Sequence, residues 1–255
     1  MLAIERRNEI LEKLQKEKRV IVNELSVCYE VSEETIRRDL EKLEKEGYVT
    51  KSYGGAVLNE NINLEMPFNI RKNTNIAGKQ RIATILTDLV NDGDSLMLDS
   101  SSTAVFIAKA LKETKRNLTI ITNSVEIIIE LFDAQECRVL STGGLAQEGS
   151  FALVGPQTDQ MLNAYHVNKA IVSCKGFDIQ NGITDSNELH AQNKKTMLKR
   201  AEQKILAVDS SKFGMTAFAK IAALDDITMV ITDNQPEEKW LRLFEEYHLE
   251  CLWPM

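Results

Sequence analysis

The chain has 255 residues, 43% of them apolar and 27% charged, with 31 basic and 38 acidic side chains for a net charge of −7. With only 12 glycines and 4 prolines this is ordinary globular material, enough for one large or two smaller domains, and it excludes collagen-like, disordered and disulfide-framework classes. No apolar run reaches the ~20 residues of a membrane helix, and the chain opens on Glu5, Arg6 and Arg7 rather than a signal-peptide core, so a cytoplasmic protein is expected.

The first 58 residues are helix-periodic and dense in charge, 11 basic against 12 acidic. A first helix is predicted over about Ala3–Lys16, with Ile4, Ile10, Leu11 and Leu14 inward, and a second over about Asn23–Glu30, with Leu25, Cys28 and Tyr29 inward. After a tight break, Ser32 is placed to cap a third helix that stops at Gly47, and Glu33 and Glu34 suit the positive end of its dipole. Its apolar stripe is Ile36, Leu40 and Leu43. The opposite face carries Glu34, Arg38, Glu41, Lys42 and Lys45, with Arg37 and Thr35 at its flanks. Such a helix can read a major groove, because arginine bonds guanine O6 and N7 bidentately and glutamate accepts from cytosine N4. Tyr48–Val57 reads as a hairpin, with Val49 facing Val57, Gly54-Gly55 free to approach a phosphate backbone and Lys51 on a phosphate. From composition alone, a charged helical pair that only dimerises stays open as an alternative.

An asparagine-rich stretch containing Pro67, residues 59–75, reads as a linker. Beyond it, short apolar runs (Ser95–Asp99, Leu118–Thr122, Cys137–Ser141, Lys169–Cys174, Lys204–Asp209, Ile227–Thr232) alternate with amphipathic stretches (Lys79–Leu89, Thr103–Lys112, Ser124–Phe132, Glu188–Ala201, Glu237–Tyr247). That rhythm predicts a mainly parallel sheet covered on both faces. Ligands of open α/β sheets bind at strand C-terminal ends. The polar loops there are Asp99-Ser100-Ser101-Ser102-Thr103, Thr122-Asn123-Ser124, Thr142-Gly143-Gly144, Lys175-Gly176-Phe177-Asp178 and Asp209-Ser210-Ser211-Lys212. Hydroxyls and free amides at a helix N-terminus make an anion cradle, although each loop alone reads equally well as a cap or a turn. The cysteines Cys28, Cys137, Cys174 and Cys251 form no C-x-x-C pair and read as reduced core fillers. His166, His190 and His248 lack metal spacing. There is no G-x-G-x-x-G and no P-loop, so neither a metal nor a nucleotide cofactor is expected.

Val31–Leu58, VSEETIRRDLEKLEKEGYVTKSYGGAVL, resembles the N-terminal signature of the DeoR family of bacterial repressors. Thr35-Ile36-Arg37-Arg38-Asp39-Leu40 match the family's recognition helix in full, and Tyr53 stands where its wing often has histidine. The resemblance implies a winged helix-turn-helix over residues 1–58 that touches DNA through Ser32, Glu34, Thr35, Arg37, Arg38, Lys51, Tyr53, Gly54 and Gly55. Over residues 76–255 it implies a Rossmann-like effector domain similar to sugar-phosphate isomerases. On that resemblance Asp99–Thr103 holds the phosphate of a sugar or sugar acid, assisted by Thr122, Asn123, Ser124, Gly143 and Gly144. Lys175 and Lys212 meet charged or carbonyl oxygens, and Asp178 and Glu188 meet hydroxyls. Two positions depart from the pattern: Ser101 replaces a glycine, and Lys175 stands where many members have aspartate. The lysine favours a more anionic ligand and disfavours isomerase chemistry, which needs a positioned carboxylate. The expected function is a homo-oligomeric repressor, dimer or tetramer, that a phosphorylated sugar or sugar acid releases from operator DNA. The alternative is an isomerase-like enzyme with an added N-terminal module.

Overall fold

The computed structural model describes residues 2–59 and 66–254. The chain divides into two compact units, Met1–Thr74 and Asn75–Met255. The first holds α1 (Ala3–Glu17), β1 (Arg19–Ile21), α2 (Val22–Cys28), α3 (Glu33–Lys45), β2 (Val49–Ser52), β3 (Gly55–Leu58) and α4 (Phe68–Asn73). The helices bury Ile10, Leu11, Leu14, Leu25, Ile36, Leu40 and Leu43 together, as their spacing predicts. Ile4 and Cys28 differ from expectation: both are exposed, because they lie at helix ends that the apolar stripe has already left.

The hairpin forms with Val49 opposite Leu58, one residue from the expected partner Val57, and Thr50 opposite Val57. An unpredicted strand, β1, pairs antiparallel with β3, so the sheet order is β1-β3-β2. Part of the segment read as a linker, residues 60–65, lies outside the described residues. Another part forms α4, with Phe68 and Ile70 buried and Arg71 over the Phe68 ring at 5.3 Å.

In the second unit, α5 (Ile76–Leu89) precedes β4 (Ser95–Leu98), α6 (Ser102–Thr114), β5 (Leu118–Thr122), α7 (Val125–Leu131) and β6 (Cys137–Ser141). There follow β7 (Leu145–Gln147), β8 (Ala152–Val154), α8 (Pro156–Asn163), β9 (Val167–Val172), β10 (Gly176–Asp178), β11 (Gly182–Asp185), α9 (Glu188–Lys199) and β12 (Ala201–Val208). The unit closes with β13 (Ala219–Ala222), β14 (Met229–Thr232), α10 (Glu238–Glu246) and β15 (Glu250–Leu252). Seven strands make one sheet, order β15-β14-β12-β9-β4-β5-β6, with every pairing parallel. The near-continuous burial of β4, β5, β9, β12 and β14 is what a sheet covered on both faces requires. β10, β11 and β13 form a small antiparallel sheet, and β7 and β8 a hairpin. Among the cysteines only Cys174 is a buried core residue; Cys137 and Cys251 are half-buried.

The strand order fixes where loops meet. From β4 the chain steps outward to β5 and β6, then returns across β4 to lay β9 on its other side. The neighbours β4 and β9 therefore bracket the switch point, where the outgoing loops diverge and leave a crevice beyond the strand ends.

Candidate functional site

The first unit presents the polar face of α3, opposite the stripe Ile36, Leu40 and Leu43 that it buries in the core. Ser32 caps it as expected, its hydroxyl accepting from the Thr35 amide at 3.2 Å and sharing a 2.9 Å bond with the Thr35 hydroxyl. Arg37 and Arg38 are exposed and pair one turn back, with Glu33 at 2.5 Å and Glu34 at 3.2 Å. Asp39, inside the matched motif, does something the sequence reading missed. It is buried and accepts from Arg6 Nε at 2.6 Å and Arg7 at 3.4 Å, tying α3 to α1. The signal was available: Ile36, Asp39, Leu40 and Leu43 all sit at core-face spacing, so the one charge in that stripe needed a buried partner.

The wing tip carries Tyr53, fully exposed, and Gly54 in the left-handed region at φ +78°, with open space around it. Gly55 plays a different part from the phosphate approach expected of it. A Cβ there would overlap the Val20 carbonyl, so this glycine lets β1 and β3 pair. Lys51 is exposed on β2 and pairs with Glu41 at 3.4 Å and Glu44 at 3.5 Å of α3, while its own amide donates to Glu44 at 2.9 Å.

In the second unit the five polar loops do end at strand C-termini, but internal bonds sort them. Thr122 donates to the Leu98 carbonyl at 2.7 Å and accepts from the Ser124 amide, and Ser124 caps α7 through the Ile127 amide. Their side chains are thereby engaged in building the loop. Asn123 donates to the Leu153 carbonyl, which also accepts from Asn193 of α9; Asn123 Oδ1 is buried without a partner. Gly144, at φ +115°, has no room for a Cβ against Val154 and Thr158, and Thr158 donates to the Gly143 carbonyl. That pair of glycines shapes the turn. Asp178 also departs from its expected role. Its carboxylate accepts from the Gln180 and Asn181 amides and the Asn181 side chain, closing the β10–β11 turn, and those bonds hold its pKa below the usual carboxylate range. Glu188 is exposed in the first turn of α9.

The switch-point loops behave differently. Asp99 is buried and fully bonded: one oxygen takes the Ser101 amide (3.1 Å) and hydroxyl (2.5 Å), the other the Ser173 amide (2.9 Å) and Lys194 (3.4 Å). It ties the end of β4 to the end of β9. Ser101 caps α6 through the Ala104 amide at 3.1 Å, so its side chain is turned into the loop and leaves the cradle open. Ser100, Ser102 and Thr103 are buried, and their hydroxyls take no hydrogen bond among the described residues. The amides of Ser102 and Thr103 are first-turn donors outside the helical ladder.

Beneath them lies a buried ion cluster absent from the sequence reading. Lys194 of α9 bridges Asp185, at the end of β11, and Asp99. Burial opposes the charge on Asp185, but Lys194 and then Lys175 outweigh it and bring its pKa down to about 2. Burial likewise works against the Lys194 charge, and Asp185 and Asp99 reverse it, so the pKa is raised. Lys194 shares one face of α9 with His190 and Met197, a polar residue at core spacing like Asp39. Cys174 is buried beside this cluster; burial raises its thiol to about 12 against the opposing pull of Lys194 and Lys212. Lys212 follows Asp209, whose carboxylate accepts from the Ser211 amide and hydroxyl. Burial opposes the Asp209 charge too, and Lys212 and the Ser211 bonds lower its pKa on balance. Lys212 is half-buried and forms no ion pair among the described residues. Its loop is pinned by the next residue, Phe213, packed edge-on against Phe177 (5.3 Å) and Trp240 (4.9 Å). The loops at these strand ends thus carry open hydroxyls, a helix N-terminus and two half-buried lysines, groups of a kind suited to an anion.

A winged helix-turn-helix followed by a parallel-sheet unit with a polar switch-point crevice defines a DNA-binding regulator carrying its own sensor. The model of the DeoR-like helix-turn-helix domain matches residues 6–61, and that of the DeoR C terminal sensor domain matches residues 74–234. The chain belongs to the DeoR family of transcriptional regulators, and regulation rather than catalysis is its activity. It is 44% identical to the uncharacterized HTH-type transcriptional regulator YulB of Bacillus subtilis, covering 96% of this chain and 95% of that one. It is 32% identical to the L-fucose operon activator of Haemophilus influenzae (94% and 96% covered) and 32% identical to the HTH-type transcriptional repressor GlcR of B. subtilis (97% and 95%). Among solved structures, it is similar to ribose 5-phosphate isomerase A from Methanocaldococcus jannaschii, with a TM-score of 0.40 at 20% identity over 55% of each chain. Among the described residues no helix is long and apolar enough to cross a membrane.

Proposed function

We propose that this protein represses a sugar or polyol catabolic operon and leaves its operator when a phosphorylated sugar or sugar acid binds the second unit. The observation that carries the reading is the chemistry at the switch point. The hydroxyls of Ser100, Ser102 and Thr103 and the α6 N-terminus stand open, with Lys212 in no ion pair among the described residues and Lys175 held near Asp185. A phosphate matches the helix N-terminus and hydroxyls, and the lysines match a second anionic or carbonyl end. Asp99, Ser101, Thr122, Ser124 and Asp178 shape the loops and stay out of ligand contact. On the DNA side, Ser32, Thr35, Arg37 and Arg38 of α3 enter the major groove with Glu34 beside them, while Lys51, Tyr53 and Gly54 of the wing follow the backbone. The boundaries follow from this division: DNA binding by residues 1–58 and sensing by 76–255. A dimer or tetramer matches half-sites one helical turn apart or a multiple of it. Release is then a free-energy difference: the ligand favours a state of the oligomer that no longer fits the operator.

Relatives named for activation and for repression both exist, so the sign of the response is what the experiment must read. Fluorescence anisotropy with the DNA upstream of the protein's own coding region, at fixed salt and with competitor DNA, is titrated with sugar phosphates and phosphorylated sugar acids. Loss of specific binding with one ligand is the expected result. Tighter binding with a ligand would reverse the proposed release, and absence of specific binding would overturn the reading.

A further inference from the structure

The first 58 residues carry a net charge of −1, an unusual balance for a surface that docks on a polyanion. The acids are concentrated on the DNA-facing helix itself. Glu33 and Glu34 pair with Arg37 and Arg38 at the ordinary spacing of one helical turn. Lys51 is different: it reaches from β2 to α3 and is held between Glu41 (3.4 Å) and Glu44 (3.5 Å), ten and seven residues away in sequence. Helix periodicity does not produce that pairing; the packing of the wing on α3 does. Glu44 also takes the Lys51 amide and so helps hold the strand. Among the described residues the Glu41 carboxylate pairs only with the Lys51 ammonium, and it is half exposed.

Sequence-independent DNA binding arises from cations that neutralise phosphates and release their counterions. A lysine already matched by a carboxylate must leave it to reach a phosphate, and the stranded carboxylate then faces the polyanion. We propose that Glu41 acts as an internal stand-in for phosphate: it competes with the DNA backbone for Lys51 and holds down the electrostatic part of the affinity. The residue thereby keeps the protein from lingering on bulk DNA and leaves the effector a bound state weak enough to dissolve. The inference rests on the reading of α3 and the wing as the DNA face.

The test is a double-mutant cycle on the full chain, with anisotropy of a random-sequence duplex over a series of salt concentrations. Glu41→Gln is isosteric, exposed and unlinked to the core, so folding is preserved. It is expected to tighten binding by about 1.4- to 5-fold, the range an exposed ion pair spans, and to steepen the salt slope by up to about 0.9. In a Lys51→Ala background the same change should tighten binding clearly less, leaving only the relief of repulsion between Glu41 and the phosphates. Equal tightening in both backgrounds would show a bulk charge effect and overturn the inference, as would no tightening in a protein whose Lys51→Ala variant binds less well. If Lys51→Ala itself leaves random-sequence binding unchanged, the wing is not on DNA, and the reading beneath the inference falls instead.

Discussion

Arg38 and Lys51 carry the same charge, yet they should lose DNA binding in different ways. Arg38 is exposed on α3, and in the proposed docking it meets base edges, so Arg38→Ala should abolish preference for the operator over random DNA. Lys51 belongs to the wing, so Lys51→Ala should weaken every sequence alike and reduce the salt slope by less than the roughly 0.9 of an unpaired lysine, because Glu41 already engages it. Anisotropy on both duplexes across salt separates the two. Asp39 sits between them in chemistry: it is polar in type and structural in role. Asp39→Ala strands Arg6 in the core and should cost about 3–5 kcal/mol in urea unfolding of the first unit. Asp185 makes the pH prediction. Its pKa of about 2 in the fold lies below the ordinary 3.8, so its contribution is present above about pH 4 and is lost as pH falls toward 2. Denaturation across that window should show stability falling with acid, and Asp185→Asn should flatten the fall. Residues of this kind were half legible. A charge at core spacing, as at Asp39 or Lys194, announces burial, but its partner comes from a distant segment.

At the scale of elements, most helices were read within two residues and α5 within three, since their apolar stripes are a local property, as in Ile36, Leu40 and Leu43, while the short helices α4 and α8 were not read. Six strands of the parallel sheet were legible for the same reason. The short strands β1, β7, β8, β10, β11, β13 and β15 were not, because three or four residues carry too little pattern and their pairing is decided by partners far along the chain. Two adjacent glycines show the consequence. Gly54 and Gly55 look alike in sequence, yet one is a turn in the left-handed region and the other a contact with Val20. Gly55→Ala should separate β1 from β3 and destabilise the first unit by about 1–3 kcal/mol from overpacking. Gly54→Ala has room for its methyl and should cost only backbone strain, about 1 kcal/mol. Chemical denaturation of the two variants compares them directly, and equal costs would remove the distinction.

For the whole molecule, sensing and DNA binding should come apart under mutation. Ser102→Ala with Lys212→Ala should leave operator binding intact and abolish the response to the sugar phosphate that releases the wild type. The same ligand at 100 times its Kd should raise wild-type stability by about 2.7 kcal/mol and leave the double variant unmoved. Loss of DNA binding in that variant would assign the loops to folding. The sequence by itself determined the family, the two-part plan and the alternation of strands with helices, because periodicity, caps and a contiguous motif are written along the chain. Only the tertiary structure decided how the loops are arranged. The return of the chain from β6 across β4 to β9 places the loop Ser100–Thr103, after β4, and Lys175, after β9, at the switch point. Hydrogen bonds formed within and around the loops occupy Asp99, Thr122, Ser124 and Asp178. Strand order and hydrogen-bond partners join residues distant in the chain, and local pattern has no means to encode that pairing.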